Sequence, residues 1–262
     1  MDEPGRSDNT PIKQEHFRAY LDYHMTVTGN ILRKKPWFYQ RYVAIDLTAA
    51  DGGSDDDPGS PLILVQKARA YARDLDLWCC EQQPVMADRL ARRVYEWDSP
   101  HCRVRILRGD HAHSIAEIID YYATRHQMCM GLVYFDANGG PLPVETFTRL
   151  AIAPGLQMLD FLAHTNAASY KRQRHVKPRY LSEDIAAIGK THAFVRRPLA
   201  NWQWTFVHLT NFDDAATLGR WGFVNVATRA GRDVLTVLNL SHAERQPPLP
   251  LGENALTEDP PM

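Results

Sequence analysis

The sequence lacks the short motifs that most often assign an α/β protein to a function. Neither G-x-G-x-x-G nor the P-loop motif G-x-x-x-x-G-K-[S/T] occurs in its 262 residues, which argues against a nicotinamide-dependent dehydrogenase and a P-loop NTPase. The loop at residues 55–60 does not replace a phosphate loop, because Asp55, Asp56 and Asp57 would repel phosphate.

The sequence also has little net charge and no long apolar run. Its formal net charge is −1, so any attraction to nucleic acid must come from a local patch. No apolar run approaches the roughly 18 residues that a membrane span needs, and the amino-terminal residues show no signal-peptide core. We therefore expect a cytoplasmic protein that does not associate with membranes.

Cysteine is scarce, and its spacing does not indicate a metal site. Cys79, Cys80, Cys102 and Cys129 form no C-x-x-C pair, so small buried cysteines are the better interpretation than zinc ligands. His111 and His113 have no cluster of ligands near them in sequence, which favours loop or helix-start histidines. We expect no metal site.

Apolar runs rich in β-branched residues alternate five times with helix-forming segments. The predicted parallel strands are a run that ends at Asp46, followed by residues 75–81, 104–110, 131–136 and 156–162. Two further strands are predicted at 202–209 and 233–240, as an antiparallel pair at the edge. The pattern predicts an α/β, Rossmann-like, doubly wound and mostly parallel seven-stranded sheet with an antiparallel edge strand.

The segments outside this alternation suggest how the chain is organised. Residues 1–11 are predicted to be a disordered N-terminus and residues 12–41 a helical cap, with a first helix that ends at Gly29-Asn30. Residues 42–243 would form the main domain. The Pro-rich residues 244–262 are predicted to be a disordered tail.

Four predicted strands end in an acidic residue. Right-handed crossovers bring the carboxyl ends of parallel strands to one rim of the sheet, where open α/β sheets bind ligands. The four acids are Asp46, Glu81, Asp110 and Asp136. Each acid alone could be a solvated strand end or a helix cap, but together they predict a nucleotide-like ligand.

The order of these elements resembles class I S-adenosylmethionine-dependent methyltransferases, and three stretches resemble the three-Cys-motif partner proteins within that class. The stretches are residues 42–62, which include Gly59-Ser60-Pro61, residues 133–141 and residues 203–211. Two positions depart from that family. The loop after Asp46 reads Thr-Ala-Ala-Asp-Gly in place of a Phe-Ala-Gly-Pro-Gly-like turn, and Ala137 replaces a proline.

The resemblance implies S-adenosylmethionine as the cofactor. Glu81 would accept from the ribose hydroxyls, as acids do in dinucleotide folds. Asp46 would accept from the ammonium group of the tail and Asp110 from the adenine amino group. In the small-residue loop, positive φ is easy only at Gly52 and Gly53. The full set of predicted cofactor-binding residues is Asp46, Thr48, Ala49, Gly52, Ser60, Glu81 and Asp110.

The resemblance also implies catalytic residues after the fourth strand. Amino-methyltransferases place there an Asp/Asn-Pro-Pro-aromatic motif that orients the target amine. Asp136 and Asn138 would take this role here, although Gly139 stands where that motif has its aromatic residue. A nucleic-acid base is therefore one possible substrate. The alternative is that residues 136–139 form only a βα turn.

A basic stretch between two tyrosines follows the fifth predicted strand. The predicted substrate-binding residues are Lys171, Arg172, Arg174, Lys177 and Arg179. Phosphate contacts with base stacking on Tyr170 and Tyr180 would suit a nucleic acid, and Arg33–Lys35 could extend the patch. Three alternatives stay open: a solvated basic loop, a nucleic-acid-binding module without cofactor, and a non-catalytic methyltransferase-like fold that serves a partner protein.

Overall fold

The computed structural model of the chain describes residues 10–137, 140–174, 180–197 and 204–239, without the side chains of Gln173, Arg174 and Asn239. Several sequence predictions lie outside these residues, namely Asn138, Lys177, Arg179, most of the N-terminal segment and the whole Pro-rich tail.

Eight strands form one sheet in the described part of the chain. Their bounds are β1 Tyr42–Asp46, β2 Leu75–Glu81, β3 Cys102–Arg108, β4 Met130–Phe135, β5 Leu159–Asn166, β6 His192–Arg196, β7 Trp204–Thr210 and β8 Phe223–Asn225. Their order across the sheet is β3-β2-β1-β4-β5-β7-β6-β8. Strands β1 to β5 are mutually parallel, whereas β7 pairs antiparallel with both β5 and β6, and β8 antiparallel with β6.

Helices connect the strands and cover both faces of the sheet. The bounds are α1 Thr10–Lys34, α2 Ser60–Ala70, α3 Pro84–Trp97, α4 His111–Ala123, α5 Val144–Ile152, α6 Ala167–Arg174, α7 Leu181–Ile188, α8 Ala215–Arg220 and α9 Arg229–Asn239. Among the helices described, none combines the length and the apolarity that crossing a bilayer requires.

Two buried clusters fill the two faces. Helices α1, α2, α3 and α8 contribute to one cluster, together with side chains such as Tyr42 and Leu77. Helices α4, α5, α7 and α9 contribute to the other, together with Val43 and Trp78. Because successive strand residues point to opposite faces, an all-buried strand such as β1 serves both clusters. The predicted α/β, Rossmann-like, doubly wound and mostly parallel sheet with an antiparallel edge is confirmed.

The predicted seventh strand at residues 233–240 is wrong, because residues 233–239 belong to helix α9 and residue 240 lies outside the described residues. Val234, Leu235 and Leu238 are buried, whereas Val237 is exposed. These buried positions follow the spacing of one helix face rather than alternation. The run of Val and Leu misled the prediction because branched apolar residues are common in strands and also pack well on a buried helix stripe.

The predicted count of seven strands is also wrong, since the sequence interpretation missed β6 and β8. Both are short, and β6 is covered on both faces through Ala193, Phe194 and Val195, so neither shows a long alternating run. β5 begins three residues later than predicted and continues to Asn166. His164, which lies beyond the predicted end of this strand at residue 162, is therefore part of it.

The first helix does not end at Gly29-Asn30 but continues to Lys34. Gly29 lies inside the helix, and the end of the Arg73 side chain packs against it: a Cβ there would lie 2.0 Å from the guanidinium Nη2 of Arg73, so that guanidinium would have to move. A glycine in a helix interior can therefore signal close approach of a neighbour, which sequence alone does not distinguish from a C-terminal cap.

Candidate active site at the carboxyl rim

The four predicted acids lie on the same rim of the sheet. Asp46 and Glu81 end β1 and β2, Asp136 directly follows β4, and Asp110 begins the helix after β3. The parallel register of β1 with β2 and β4, and of β2 with β3, aligns these ends. A cavity of about 470 Å³ opens there, and Glu81, Asp110 and Asp136 line it.

The loop after β1 forms the floor of this cavity. Four of the residues that the sequence predicted to contact a cofactor line it, namely Thr48, Ala49, Gly52 and Ser60. The loop is fixed by backbone hydrogen bonds, in which Ala49 N donates to the Cys80 carbonyl over 3.0 Å and Gly59 N to the Gly52 carbonyl over 3.0 Å.

The conformation of this loop differs from the prediction at Ala50. Ala50 also has a positive φ, of 50°, so this conformation is not confined to Gly52 and Gly53. A Cβ on Gly52 would lie 2.8 Å from Leu90 Cδ1 and point into the α3 packing, whereas one on Gly53 would lie 2.1 Å from Gly59 N. Gly53 is thus the residue that the tight closure of the loop requires.

Asp46 lies beneath the floor rather than in the cavity. Its carboxylate is fully buried and its Oδ1 accepts from Thr48 N over 3.0 Å. Burial raises its pKa to about 7, against the opposing effects of the Ser60 hydroxyl and the Thr48 amide. A carboxyl with this pKa gains or loses its charge near neutrality, so a cation bound above it would favour ionisation.

Glu81 at the end of β2 is held by two backbone amides. Its Oε2 accepts from Ala50 N over 2.8 Å and its Oε1 from Gln83 N over 2.7 Å. These bonds connect the first loop to the start of α3 and fix the carboxylate at the cavity wall. Each carboxylate oxygen has a second lone pair, so Glu81 can still accept from a hydroxyl group of a ligand.

Asp110 is the N-cap of α4. Its Oδ1 accepts from Ala112 N over 2.9 Å, which is the helix-cap alternative that its sequence position left open. The side chain is 47% exposed and lines the cavity, so the cap and a ligand contact are compatible.

Asp136 differs from the other acids because two side chains pair with its carboxylate. Lys13 Nζ lies 3.0 Å from Oδ2 and His164 Nδ1 lies 2.8 Å from Oδ1, while its backbone N donates to Thr48 Oγ1. Burial raises the pKa of Asp136, but the pairs with His164 and Lys13 outweigh burial and hold the pKa well below its ordinary value. Asp136 is therefore a fixed anion at the end of β4.

Sequence reasoning missed the partners of Asp136 and the position of His111 at the cavity. Lys13 is on α1 and His164 on β5, so neither is near Asp136 in the chain. His111 lines the cavity and hydrogen-bonds Thr146 Oγ1 over 3.0 Å, and burial lowers its pKa. Only His111 carried a sequence signal, because it directly follows Asp110.

The basic stretch begins on α6, directly after the carboxyl end of β5. Lys171 and Arg172 have exposed side chains, and Arg172 Nη2 donates to Ser169 Oγ over 3.2 Å. Tyr170 is not a stacking platform: it is 1% exposed, and its hydroxyl donates to Asp184 Oδ2 over 2.6 Å. Burial in the core thus removes one of the two tyrosines from the predicted nucleic-acid surface.

Arg33–Lys35 cannot extend this stretch. The first turns of α1 reach the cavity through Lys13, and the helix is 25 residues long, about 37 Å at 1.5 Å per residue. Its last turn and Lys35 therefore lie towards the amino ends of the strands.

No group of three or more His, Cys, Asp or Glu side chains arranged to hold a metal ion is found among the described residues. The four cysteines are buried and make no disulfide.

No protein-family model and no curated protein matches the chain. Its solved structural neighbours include a probable spermidine synthase from Corynebacterium glutamicum, with 13% identity, coverage of 85% of this chain and 79% of that chain, and a TM-score of 0.47. An rRNA methylase from Streptococcus thermophilus has 11% identity, 71% and 96% coverage and a TM-score of 0.39. A variant of MtNAS in complex with S-adenosylmethionine has 14% identity, 78% and 67% coverage and a TM-score of 0.38.

Sequence identities and TM-scores this low do not establish a relationship to these proteins. The fold follows instead from the order and register of the strands. Five parallel strands in the order 3-2-1-4-5, followed by an antiparallel β7 between β5 and β6, form the Rossmann-like methyltransferase fold that the sequence resemblance implied.

Proposed function

We propose that this protein binds S-adenosylmethionine at the carboxyl rim and transfers its methyl group. The observation that carries the proposal is the cavity above the loop at residues 47–59, lined by Asp51, Asp57, Glu81, Asp110 and Asp136. A sulfonium cation with an ammonium tail suits such a wall, whereas a nucleotide phosphate would be repelled. The donor set and the tight, small-residue floor therefore fit this cofactor.

The order of the strands supports one orientation of the cofactor. Asp110 follows β3, Glu81 ends β2 and Asp136 follows β4, with β1 in the middle. With the adenine at Asp110 and the ribose hydroxyls at Glu81, the amino-acid tail extends across the β1 loop towards Asp136. Asp46, beneath this loop, would then favour the ammonium group through its buried charge.

When bound, S-adenosylmethionine supplies an electrophilic methyl group. The residues of this chain hold the acceptor for in-line attack and exclude competing orientations. Asp136 is proposed to orient the methyl-accepting group by accepting a hydrogen bond from it, because Asp136 lines the cavity as a fixed anion. Asn138 would be a second, neutral partner.

We also propose that this protein is of the three-Cys-motif partner type and that it acts on a nucleic-acid base. Its support is the sequence resemblance and the exposed Lys171 and Arg172 on α6, followed in the chain by Arg174, Lys177 and Arg179. Lys and Arg beside the rim would track phosphates.

A non-catalytic fold that serves a partner protein is the second candidate. The observation that favours it is the pairing of both carboxylate oxygens of Asp136, with Lys13 and with His164. Without rearrangement these pairs compete with an acceptor substrate. Ala49 and Ala50, in a loop that departs from the family's turn, and Ala137, which replaces a proline, point in the same direction.

Calorimetric titration with S-adenosylmethionine and S-adenosylhomocysteine tests the cofactor, and ATP serves as the anionic control. Glu81→Ala should weaken binding by roughly 1–3 kcal/mol, the cost of an unpaired buried hydrogen bond. The matched control is Glu96→Ala, an exposed acid on α3 outside the cavity lining. Equal affinity in both variants, or tighter binding of ATP, would reject the site.

Transfer of a labelled methyl group to nucleic acids and to cell extract then separates enzyme from scaffold. Binding of the cofactor without transfer to any tested acceptor would support the second candidate.

A further inference from the structure

Lys13 occupies a position in the cavity to which the methyl-transfer proposal gives no role. It lies on the second turn of α1, lines the cavity and pairs with Asp136 Oδ2 over 3.0 Å. Its side chain is 11% exposed. A lysine ammonium buried to this extent needs anionic partners, and it has three donors to distribute among them.

Acidic side chains outnumber lysine and arginine side chains among the described residues that line the cavity. Among the described residues that line it, Lys13 and Arg89 are the lysine and arginine side chains. Arg89 is on α3, which follows β2, so it lies on the side where the ribose would bind. Lys13 stands at the other end of the cavity, beside the end of β4.

A carboxylate in the ligand requires a cation at that end. The following step rests on the proposed function: with adenine and ribose at β3 and β2, the amino-acid tail points to β4. The tail carries an ammonium group and an α-carboxylate. The acids of the rim suit the ammonium group but repel the carboxylate, so the carboxylate needs Lys13.

We propose that Lys13 recognises the α-carboxylate of the methionine tail and so selects S-adenosylmethionine over its decarboxylated form. Lys13 then exchanges or shares its pair with Asp136, whose Oδ1 keeps the hydrogen bond from His164. Oδ2 of Asp136 becomes free to accept from the methyl acceptor. Cofactor binding thus prepares the acceptor side of the site.

The test compares two ligands that differ only in this carboxylate, S-adenosylhomocysteine and its decarboxylated analogue, by calorimetry on the full chain. The parent protein should prefer S-adenosylhomocysteine by roughly 10- to 100-fold, the range of a charge-assisted hydrogen bond. Lys13→Met should reduce this preference to within about threefold, since the two ligands then differ in no charged group that a side chain of the cavity recognises. Lys13→Arg should retain most of it.

Lys67→Met is the matched control. Like Lys13, Lys67 pairs with an acid, in this case Asp22 of α1, but Lys67 does not line the cavity. It should leave the preference unchanged. Thermal unfolding of each variant checks that the chain folds, and Lys13→Gln replaces Lys13→Met if the latter does not.

The outcomes separate the two proposals. If both ligands bind and Lys13→Met keeps the full preference, Lys13 is not the carboxylate receptor, whereas the cofactor site stands. If the parent protein shows no preference, the same conclusion holds. If the parent protein binds neither ligand, the cofactor site itself is overturned and the role of Lys13 with it.

Discussion

The ends of β1 and β4 are neighbours in the sheet, yet their two acids are held in opposite ways. Asp46 is buried with backbone and hydroxyl groups around it, and its pKa rises to about 7. Asp136 is paired with Lys13 and His164, and its pKa falls well below the ordinary range. Burial acts in the same direction on both acids, so the nearby cations decide the difference.

This contrast suggests different roles for the two acids. An acid that can change its charge near neutrality responds to a cation that binds above it, which suits electrostatic attraction of a cofactor tail through the loop. A permanently ionised acid provides a fixed charge, and preorganised charges are the groups that stabilise transfer reactions.

Asp136→Asn should have the largest effect. Removing the charge leaves Lys13 and His164 without their anion, which should lower the free energy of unfolding by about 3 kcal/mol. Methyl transfer should fall by about 10²-fold, with cofactor affinity within a few-fold. Chemical denaturation and a labelled-methyl assay measure the two effects.

Asp120→Asn, an exposed acid on α4, is the control for both measurements. The stabilisation by Asp136 should be present above the ordinary pKa of 3.8 and be lost as the pH falls below it, because the folded pKa is the lower one. Full transfer activity in Asp136→Asn would assign the chemistry to another residue.

Gly53→Ala should have the next largest effect, and it acts only at the β1 end. Its φ is +74° and a Cβ would lie 2.1 Å from Gly59 N, so the loop must open. The strain of roughly 1–3 kcal/mol should lower affinity for S-adenosylhomocysteine about tenfold.

Gly189→Ala is the matched control, since Gly189 does not line the cavity and has a φ of +78° with no neighbouring atom within 4 Å of a Cβ. This variant carries backbone strain without collision. An equal loss of affinity in both variants would show that loop closure at Gly53 is not what holds the ligand.

Asp46→Asn should change the pH dependence of stability. Because the folded pKa is raised, the folded chain binds the extra proton between pH 3.8 and about 7, so this residue's contribution to stability falls as the pH rises through that window. Asparagine stays neutral and should flatten the slope, giving a variant about 1–3 kcal/mol more stable than the parent at pH 8.

Urea denaturation of both proteins from pH 4 to 8 measures this difference. The parent's affinity for S-adenosylhomocysteine should also rise with pH through about 7, and that rise should be absent in Asp46→Asn. Parallel stability curves for the two proteins would show that Asp46 does not titrate in this window.

The smallest effect is expected on α6. Replacing Lys171 and Arg172 with Ala should weaken nucleic-acid binding and reduce the salt slope by roughly one for each phosphate contact removed. Arg103→Ala, an exposed residue on β3, is the control. Binding that does not depend on salt would remove nucleic acid as the proposed partner and leave the acceptor open.

The parallel half of the fold was predictable because each strand there carries its own local signal. β1, β2 and β4 are buried almost throughout. An acid marks the exit of each, as the last residue of β1 and β2 and directly after β4. The rim of Asp46, Glu81, Asp110 and Asp136 followed from chain connectivity alone, since right-handed crossovers align the ends of parallel strands.

The antiparallel half was less predictable because its signals are short or ambiguous. β8 has three residues, and the Val and Leu run in α9 fits either a strand or a helix stripe until its buried face is known. Antiparallel pairing depends on contacts such as Phe161 with Leu209, which the local sequence does not encode.

The sequence by itself determined which side chains reach the rim, because a strand's last residue is fixed by the local chain. Only the tertiary structure decided how those side chains are charged and what they contact. The partners of Asp136 lie 123 and 28 residues away in the chain, whereas Asp46 and Asp136 are both acids that follow an apolar strand. The pKa of a buried carboxyl depends on the charges within a few ångströms, and those charges are brought to it by folding.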